Sequence, residues 1–281
     1  MRFRPLLPSA LMLALAACAQ SPAPKTDTIP RQDSRGPSTS PEEASAPTRA
    51  QQVVQRYEAA LEQANEGEFD AALTSLGAAL ELDPDYGPAH FERGVLLEVM
   101  ELHEDALEAY DEVLRLDPNF DDLHYNRGVC FTSMGSWPEA LEAYDQAIAA
   151  DPDFGWAHTN RAETLIQLRR FPEARLAAKT AIQLDDSDTL AYQLLGVAHL
   201  NGGDPQAAYD AFQVCLERDP GNSSHLYNSG LALEDLGRPN DALMSHMQAF
   251  VANPDHSGAR AAARRLREQM MKEPKTGGEE K

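Results

Sequence analysis

The chain repeats itself every 34 residues, and no other feature narrows its possible folds as much. The segments "GPAHFERGVLLEVMELHEDALEAYDEVLRLDPNF" (87–120) and "DDLHYNRGVCFTSMGSWPEALEAYDQAIAADPDF" (121–154) align without a gap. Run both ways, the period covers 53–256 as six units: 53–86, 87–120, 121–154, 155–188, 189–222 and 223–256. Counting within a unit, position 8 is Ala60, Gly94, Gly128, Ala162, Gly196 and Gly230, and position 20 is alanine throughout, from Ala72 to Ala242. Position 27 is small (Ala79, Val113, Ala147, Ala181, Cys215, Ala249), and position 32 is proline in all but the fourth unit, where it is Asp186. Glycine inside a helix costs about 1 kcal/mol against alanine, so its recurrence at position 8 calls for a packing reason. Small residues at 8 and 20 let two antiparallel helices approach closely. Gly67, Gly135, Gly203 and Gly237 fall between the two helices at position 15. Pro138, Pro172, Pro205 and Pro239 stand where a second helix would start, a place that tolerates a missing N–H. Each unit reads as a helix pair, and the fold class as all-α.

In length, small-residue positions and terminal proline, the units resemble the tetratricopeptide repeat. The resemblance implies a right-handed superhelical solenoid of six helix pairs, with the first helix of each pair lining a concave groove that takes a peptide or protein segment. In that family positions 2, 5, 6 and 9 make the usual contacts. Here they include Phe91, Glu92, Asp122, Tyr125, Asn126, Trp156, Asn160, Tyr227 and Asn228. Aromatic anchors are typical of energetic contacts, and the same residues can equally pack between neighbouring repeats. Asn126, Asn160 and Asn228 match the asparagine of the subclass that grips a terminal carboxylate. That grip also needs Lys or Arg at positions 2, 5 and 6, and no unit has one. The fourth unit departs most, with Asp186 for proline and Ala178 where larger residues stand elsewhere, which predicts looser packing against the fifth. After the sixth unit, 257–272 reads as a capping helix: Ala259, Ala263, Leu266 and Met270 form an apolar stripe, and Arg260, Arg264 and Arg267 another face. That arginine face reads as the polar end such stacks require, or as a binding site. Residues 273–281 read as a disordered tail.

The amino terminus carries a second signal. Arg2 and Arg4 precede an apolar stretch from Leu6 to Ala17, broken by Pro8 and Ser9. A bilayer span needs about 20 apolar residues, so 1–17 reads as an export signal. Leu15-Ala16-Ala17-Cys18 resembles the bacterial lipobox: an apolar residue, two small ones, then cysteine. The resemblance implies cleavage before Cys18 and acylation of its thiol and new amino group, and two or three fatty chains anchor stably where one does not. Ala19, rather than aspartate, after the cysteine implies sorting to the outer membrane, facing the periplasm. Residues 18–50, rich in Pro, Ser and Thr, cannot form a core and read as a lipidated, disordered tether.

Charge excludes some partners. The net charge is −21, and residues 51–154 carry 24 acidic against 4 basic side chains. Nucleic acid is excluded, because binding phosphates needs clustered Lys and Arg. The acidic half is either a solvated surface or a face for a basic protein segment. His90, His124 and His158 recur at position 4, where Tyr192 and Leu226 stand in later units, so they read as packing residues before a metal or pH ladder. Cys130 and Cys215 fall at small-residue positions and read as buried thiols. No phosphate-binding glycine loop, G-x-S-x-G or H-E-x-x-H occurs, so neither an enzyme nor a metal or other cofactor is expected.

The expected protein is a lipid-anchored scaffold that assembles an envelope complex. Its layout resembles lipoproteins that assist type IV pilus secretins or motility machinery. Alternatives are an adaptor recruiting cell-wall hydrolases or proteases, or an accessory subunit of a polysaccharide or peptidoglycan enzyme.

Overall fold

The computed structural model describes residues 46–118, 120 and 123–272. The expected signal peptide, most of the tether including Cys18, and the tail from Glu273 lie outside the described residues, as does Asp122. Among the described residues there are thirteen helices and no strand. They are α1 (Arg49–Asn65), α2 (Phe69–Leu82), α3 (Gly87–Val99), α4 (His103–Leu116), α5 (Leu123–Ser133), α6 (Trp137–Ala150), α7 (Gly155–Gln167), α8 (Phe171–Leu184), α9 (Thr189–Asn201), α10 (Pro205–Arg218), α11 (Ser223–Asp235), α12 (Pro239–Ala252) and α13 (Ser257–Lys272). The chain divides into two compact units at Gly135 and Ser136, so α1–α5 belong to the first and α6–α13 to the second.

The 34-residue period sets the helix ends. Every second helix runs from position 17 to position 30, and every first helix ends at position 13. Between them position 15 adopts a left-handed backbone in all six repeats. It is glycine in four (φ between 70° and 83°), but Glu101 and Arg169 hold the same conformation at φ 62° and 60°. The N–H at position 16 then reaches the carbonyl at position 11, as in Glu68 to Gln63 and Leu102 to Leu97, both 2.9 Å, which closes the helix end. At the other end of the pair, position 31 is aspartate or asparagine in every repeat. Its side chain accepts the N–H two residues on in Asp83, Asp151, Asp185 and Asn253, at 2.9–3.2 Å. This turn forms in the fourth repeat without the proline, because Asp185 also accepts the Ser187 hydroxyl (2.6 Å) and Asp188 caps α9 through Ala191 N–H (3.0 Å).

The first helix starts earlier than the repeat count predicts. Thr48 and Gln51 form a reciprocal capping box, so Arg49 and Ala50 are helical and not part of the tether. Arg49 Nε also donates to the carbonyl of Leu82 (2.6 Å), tying α1 to the end of α2.

In the first unit, Val53, Ala60, Ala72, Leu76 and Ala79 form one core, and Leu97, Ala106, Tyr110, Val113, Leu123 and Cys130 another. The size of position 8 follows the residue at position 24. A Cβ on Gly94 would lie 2.3 Å from the ring of Tyr110, on Gly196 2.5 Å from Phe212, and on Gly230 2.5 Å from His246. Where position 24 is Leu76 or Ala178, position 8 is an alanine, Ala60 or Ala162, and is fully buried.

In the second unit the expected loosening between the fourth and fifth repeats does not occur. Ala177 and Ala178 are buried in the same core as Leu194, Val197 and Ala198. Ala178 and Ala162 are both fully buried in this core. Helix α13 closes this unit by burying Ala259, Ala262 and Leu266, with Ala263 and Met270 half-buried. Arg260, Arg264 and Arg267 face outward, while Arg265 turns inward to Glu234.

Candidate protein-interaction surface

The first helices supply the residues expected to meet a partner, and packing divides them sharply. In the first unit, Phe91 of α3 lies 6.3 Å from the Tyr110 ring and edge-on to Phe120 at 5.6 Å, an aromatic cluster internal to the repeats. Tyr125 and Asn126 of α5 are buried, at 3% and 4% exposure. Glu92 is half-buried, and burial holds its carboxyl above the usual carboxylate range. Its neighbour from the preceding repeat is Tyr57, whose phenol is pushed up to about 12, mainly by burial and then by the Glu92 charge.

In the second unit, Tyr227 of α11 packs between His246 (centroids 5.3 Å) and His256 (4.8 Å), against the start of α13. Asn160 and Asn228 are half-buried. Glu163, one turn beyond Asn160, has its pKa raised by burial. Trp156 is the expected aromatic anchor whose ring stays exposed, at 36%. It lies in the first turn of α7, beside Gly155, and lines an open depression of about 480 Å³ with Leu184, Asp153 and Asp185.

The stacked histidines have a structural task. His90 and His158 place Nε2 2.8 and 2.9 Å from the carbonyls of Pro84 and Pro152, six residues earlier. Each imidazole thus ties the start of a repeat to the proline that ended the previous one. Cys130 and Cys215 form no disulfide with any described residue and are fully buried, and burial pushes the Cys215 thiol up to about 11, far from a reactive thiolate.

Two carboxylates at position 12 stand out that sequence reasoning did not single out, one buried and one half-buried. Glu98 of α3, 6% exposed, accepts the Tyr110 hydroxyl at 2.9 Å and lies 3.8 Å from the Cys130 sulfur. Burial pushes its carboxyl up to about 7, against the lowering effect of those two hydrogen bonds. Glu234 of α11 instead holds His246 Nε2 at 2.9 Å and pairs with Arg265 of α13. A signal existed: at position 12 the other units carry Ala64, Thr132, Ile166 and Leu200, so a charged residue there falls on a packing face.

Known proteins agree with this geometry. A tetratricopeptide repeat family model matches residues 57–119, 100–153 and 194–257, and a second such model matches 131–197. None of the curated proteins matches the chain. Among solved structures, YrrB, described as a tetratricopeptide repeat protein with an unusual peptide-binding site, is 25% identical with a TM-score of 0.59, over 67% of this chain and 97% of its own. PilW, a type IV pilus biogenesis factor, is 18% identical with a TM-score of 0.63, over 74% of this chain and 97% of its own. PilF of Pseudomonas aeruginosa is 15% identical with a TM-score of 0.62, over 79% of this chain and 99% of its own. With the 34-residue register, a left-handed residue at position 15 of every repeat and small residues where helices meet, the chain belongs to the tetratricopeptide repeat family, a scaffold for protein–protein interaction.

Proposed function

We propose that the protein is a lipid-anchored scaffold of the bacterial outer membrane that holds partner proteins during assembly of an envelope complex, of the kind that builds type IV pili or related motility machinery. The observation that carries this reading is the joining of six helix-pair repeats to a lipobox-like Leu15-Ala16-Ala17-Cys18. The likeness to PilW and PilF lies at the level of fold and supports a scaffold of that layout. The acidic residues of 51–154 and the raised carboxyls of Glu92 and Glu163 on the first helices favour partners that bring positive charge.

The test has two arms. Cys18→Ser is expected to move the protein from the membrane fraction to the soluble periplasm; a variant that stays with the membrane overturns the anchor. Affinity purification of the native lipoprotein after cross-linking is expected to recover subunits of an envelope assembly, in amounts that high salt reduces. Recovery of cell-wall hydrolases alone, or sedimentation with purified cell wall when no other protein is present, overturns the assembly role.

A further inference from the structure

The stacked helices of the second unit do not need a tryptophan at position 156. The same position of the other repeats holds Val54, Pro88, Asp122, Leu190 and Ser224, none aromatic. A ring exposed at 36% is therefore available surface and not a core requirement. Leu184, at the end of α8, is exposed at 39% and borders the same depression, while Gly155 and Ala181 leave room for it. Three carboxylates, Asp153, Asp185 and Asp188, complete the lining, and the first two keep free oxygens. Among the described residues the Asp153 carboxylate has no hydrogen-bond or ion-pair partner, and its backbone N–H is held by Asp151. Asp185 uses one oxygen for the N–H and hydroxyl of Ser187, and those bonds keep its carboxyl below the usual range and so ionised.

Among the described residues no cation forms an ion pair with either, although the Arg218 charge reaches Asp185 and helps lower its pKa. Asp188 is engaged on both oxygens, by the Ala191 N–H and the Thr159 hydroxyl. The adjacent cation, Arg218, is committed to the Asp186 carbonyl and the Thr189 hydroxyl, and lies over the Tyr192 ring at 4.7 Å. Aromatic face, apolar flank and two free anionic edges together are what a guanidinium side chain satisfies: its plane stacks on a ring, its methylenes cover apolar surface and its N–H fork takes carboxylates.

We propose that this depression binds an arginine side chain from an extended segment of a protein partner, with the guanidinium against Trp156 between Asp153 and Asp185 and the stem along Leu184. The proposal rests on the scaffold reading and names the chemistry of its partner. Arginine is favoured over lysine because its planar guanidinium stacks flat on a ring while its fork meets carboxylates on either side, and a compact ammonium has neither plane nor fork. The net charge of −21 adds a long-range attraction for such a segment.

The chain has two tryptophans, Trp137 and Trp156, so Trp137→Phe in the full-length protein leaves Trp156 as the sole reporter. That protein is titrated with an end-blocked Gly/Ser octapeptide carrying one central arginine, and with the same peptide carrying uncharged citrulline. The expected result is a saturable change in Trp156 emission with the arginine peptide and about tenfold weaker binding of citrulline. Asp153→Asn with Asp185→Asn is expected to weaken the arginine peptide by about tenfold at unchanged thermal stability, since an asparagine at 185 keeps the turn as Asn253 does in the sixth repeat and the Asp153 side chain takes no part in one. Equal responses to both peptides, no saturable response, or full binding by the double variant would each overturn the proposal. The two readings separate in the cross-linking experiment: a Trp156→Ala protein that keeps every envelope partner removes the arginine site and leaves the scaffold standing.

Discussion

Glu98 and Glu234 stand at the same position of the second and sixth repeats, each one residue from a helix end and each facing position 24 of its own repeat. There the likeness stops. Glu98 meets the Tyr110 phenol and the Cys130 thiol, neutral donors that solvate a carboxylate weakly, and burial drives it toward the protonated form. Glu234 meets His246 and the guanidinium of Arg265, so a cation compensates the charge, and the pair fastens the final helix to the last repeat. One backbone position thus accepts either a neutral acid or an ion pair. Position 24 and the helix that follows decide which, because a buried charge is tolerated only when paired.

Both sites depend on a missing side chain, and restoring it breaks them most severely. Gly94→Ala drives a Cβ to 2.3 Å from the Tyr110 ring, and Gly230→Ala drives one to 2.5 Å from His246. Each is expected to cost about 3 kcal/mol, read as a shift in the urea midpoint at constant slope.

The sharpest distinction is in pH. The Glu98 carboxyl binds its proton more tightly folded (about 7) than unfolded, so its contribution is complete at low pH and is lost as pH rises through 7. Between pH 5 and pH 8 this group alone is expected to cost about 2.5 kcal/mol. Glu98→Gln should flatten that dependence and be more stable than the native chain at pH 8, seen as slower hydrogen exchange across 87–116. If Glu98→Gln left the pH profile of that segment unchanged, the neutral-acid account of this site would be wrong.

Removing the cation tests the other member. Arg265 is 36% exposed, so solvent shares its charge, and Arg265→Met is expected to cost only about 1–2 kcal/mol, with faster exchange confined to 257–272. Adding Glu234→Gln in that background should recover part of the loss, since the orphaned charge is then gone.

The smallest effect tests the repeats' shared turn. Glu101 and Arg169 sit at φ 62° and 60°, where glycine serves the other four repeats. Glu101→Gly and Arg169→Gly are each expected to raise the unfolding free energy by about 1 kcal/mol. A loss on either substitution would mean that the larger side chain makes compensating contacts.

Much of this was legible from residues alone, for reasons that differ by feature. The helix pairs follow from the period and from the small residues at positions 8 and 20, since helices can approach only where side chains are absent. The start of α1 was also readable in Thr48 and Gln51, a capping box that the repeat count alone overlooks. The left-handed turn was legible at Gly67, Gly135, Gly203 and Gly237 but not at Glu101 or Arg169, where a side chain conceals the backbone demand. Phe91 and Tyr227 carry the residue type expected of anchors, yet each is spent on rings of the next helix and of the segment after it.

The sequence by itself determined the repeat, its helix ends and the chemistry available on each helix, because these depend on neighbours within 34 residues and on backbone preferences that travel with residue type. Only tertiary structure decided which carboxylate is stripped of water, which aromatic ring remains bare and which arginine turns inward. Those outcomes depend on atoms from adjoining helices, whose distance in space no local pattern encodes.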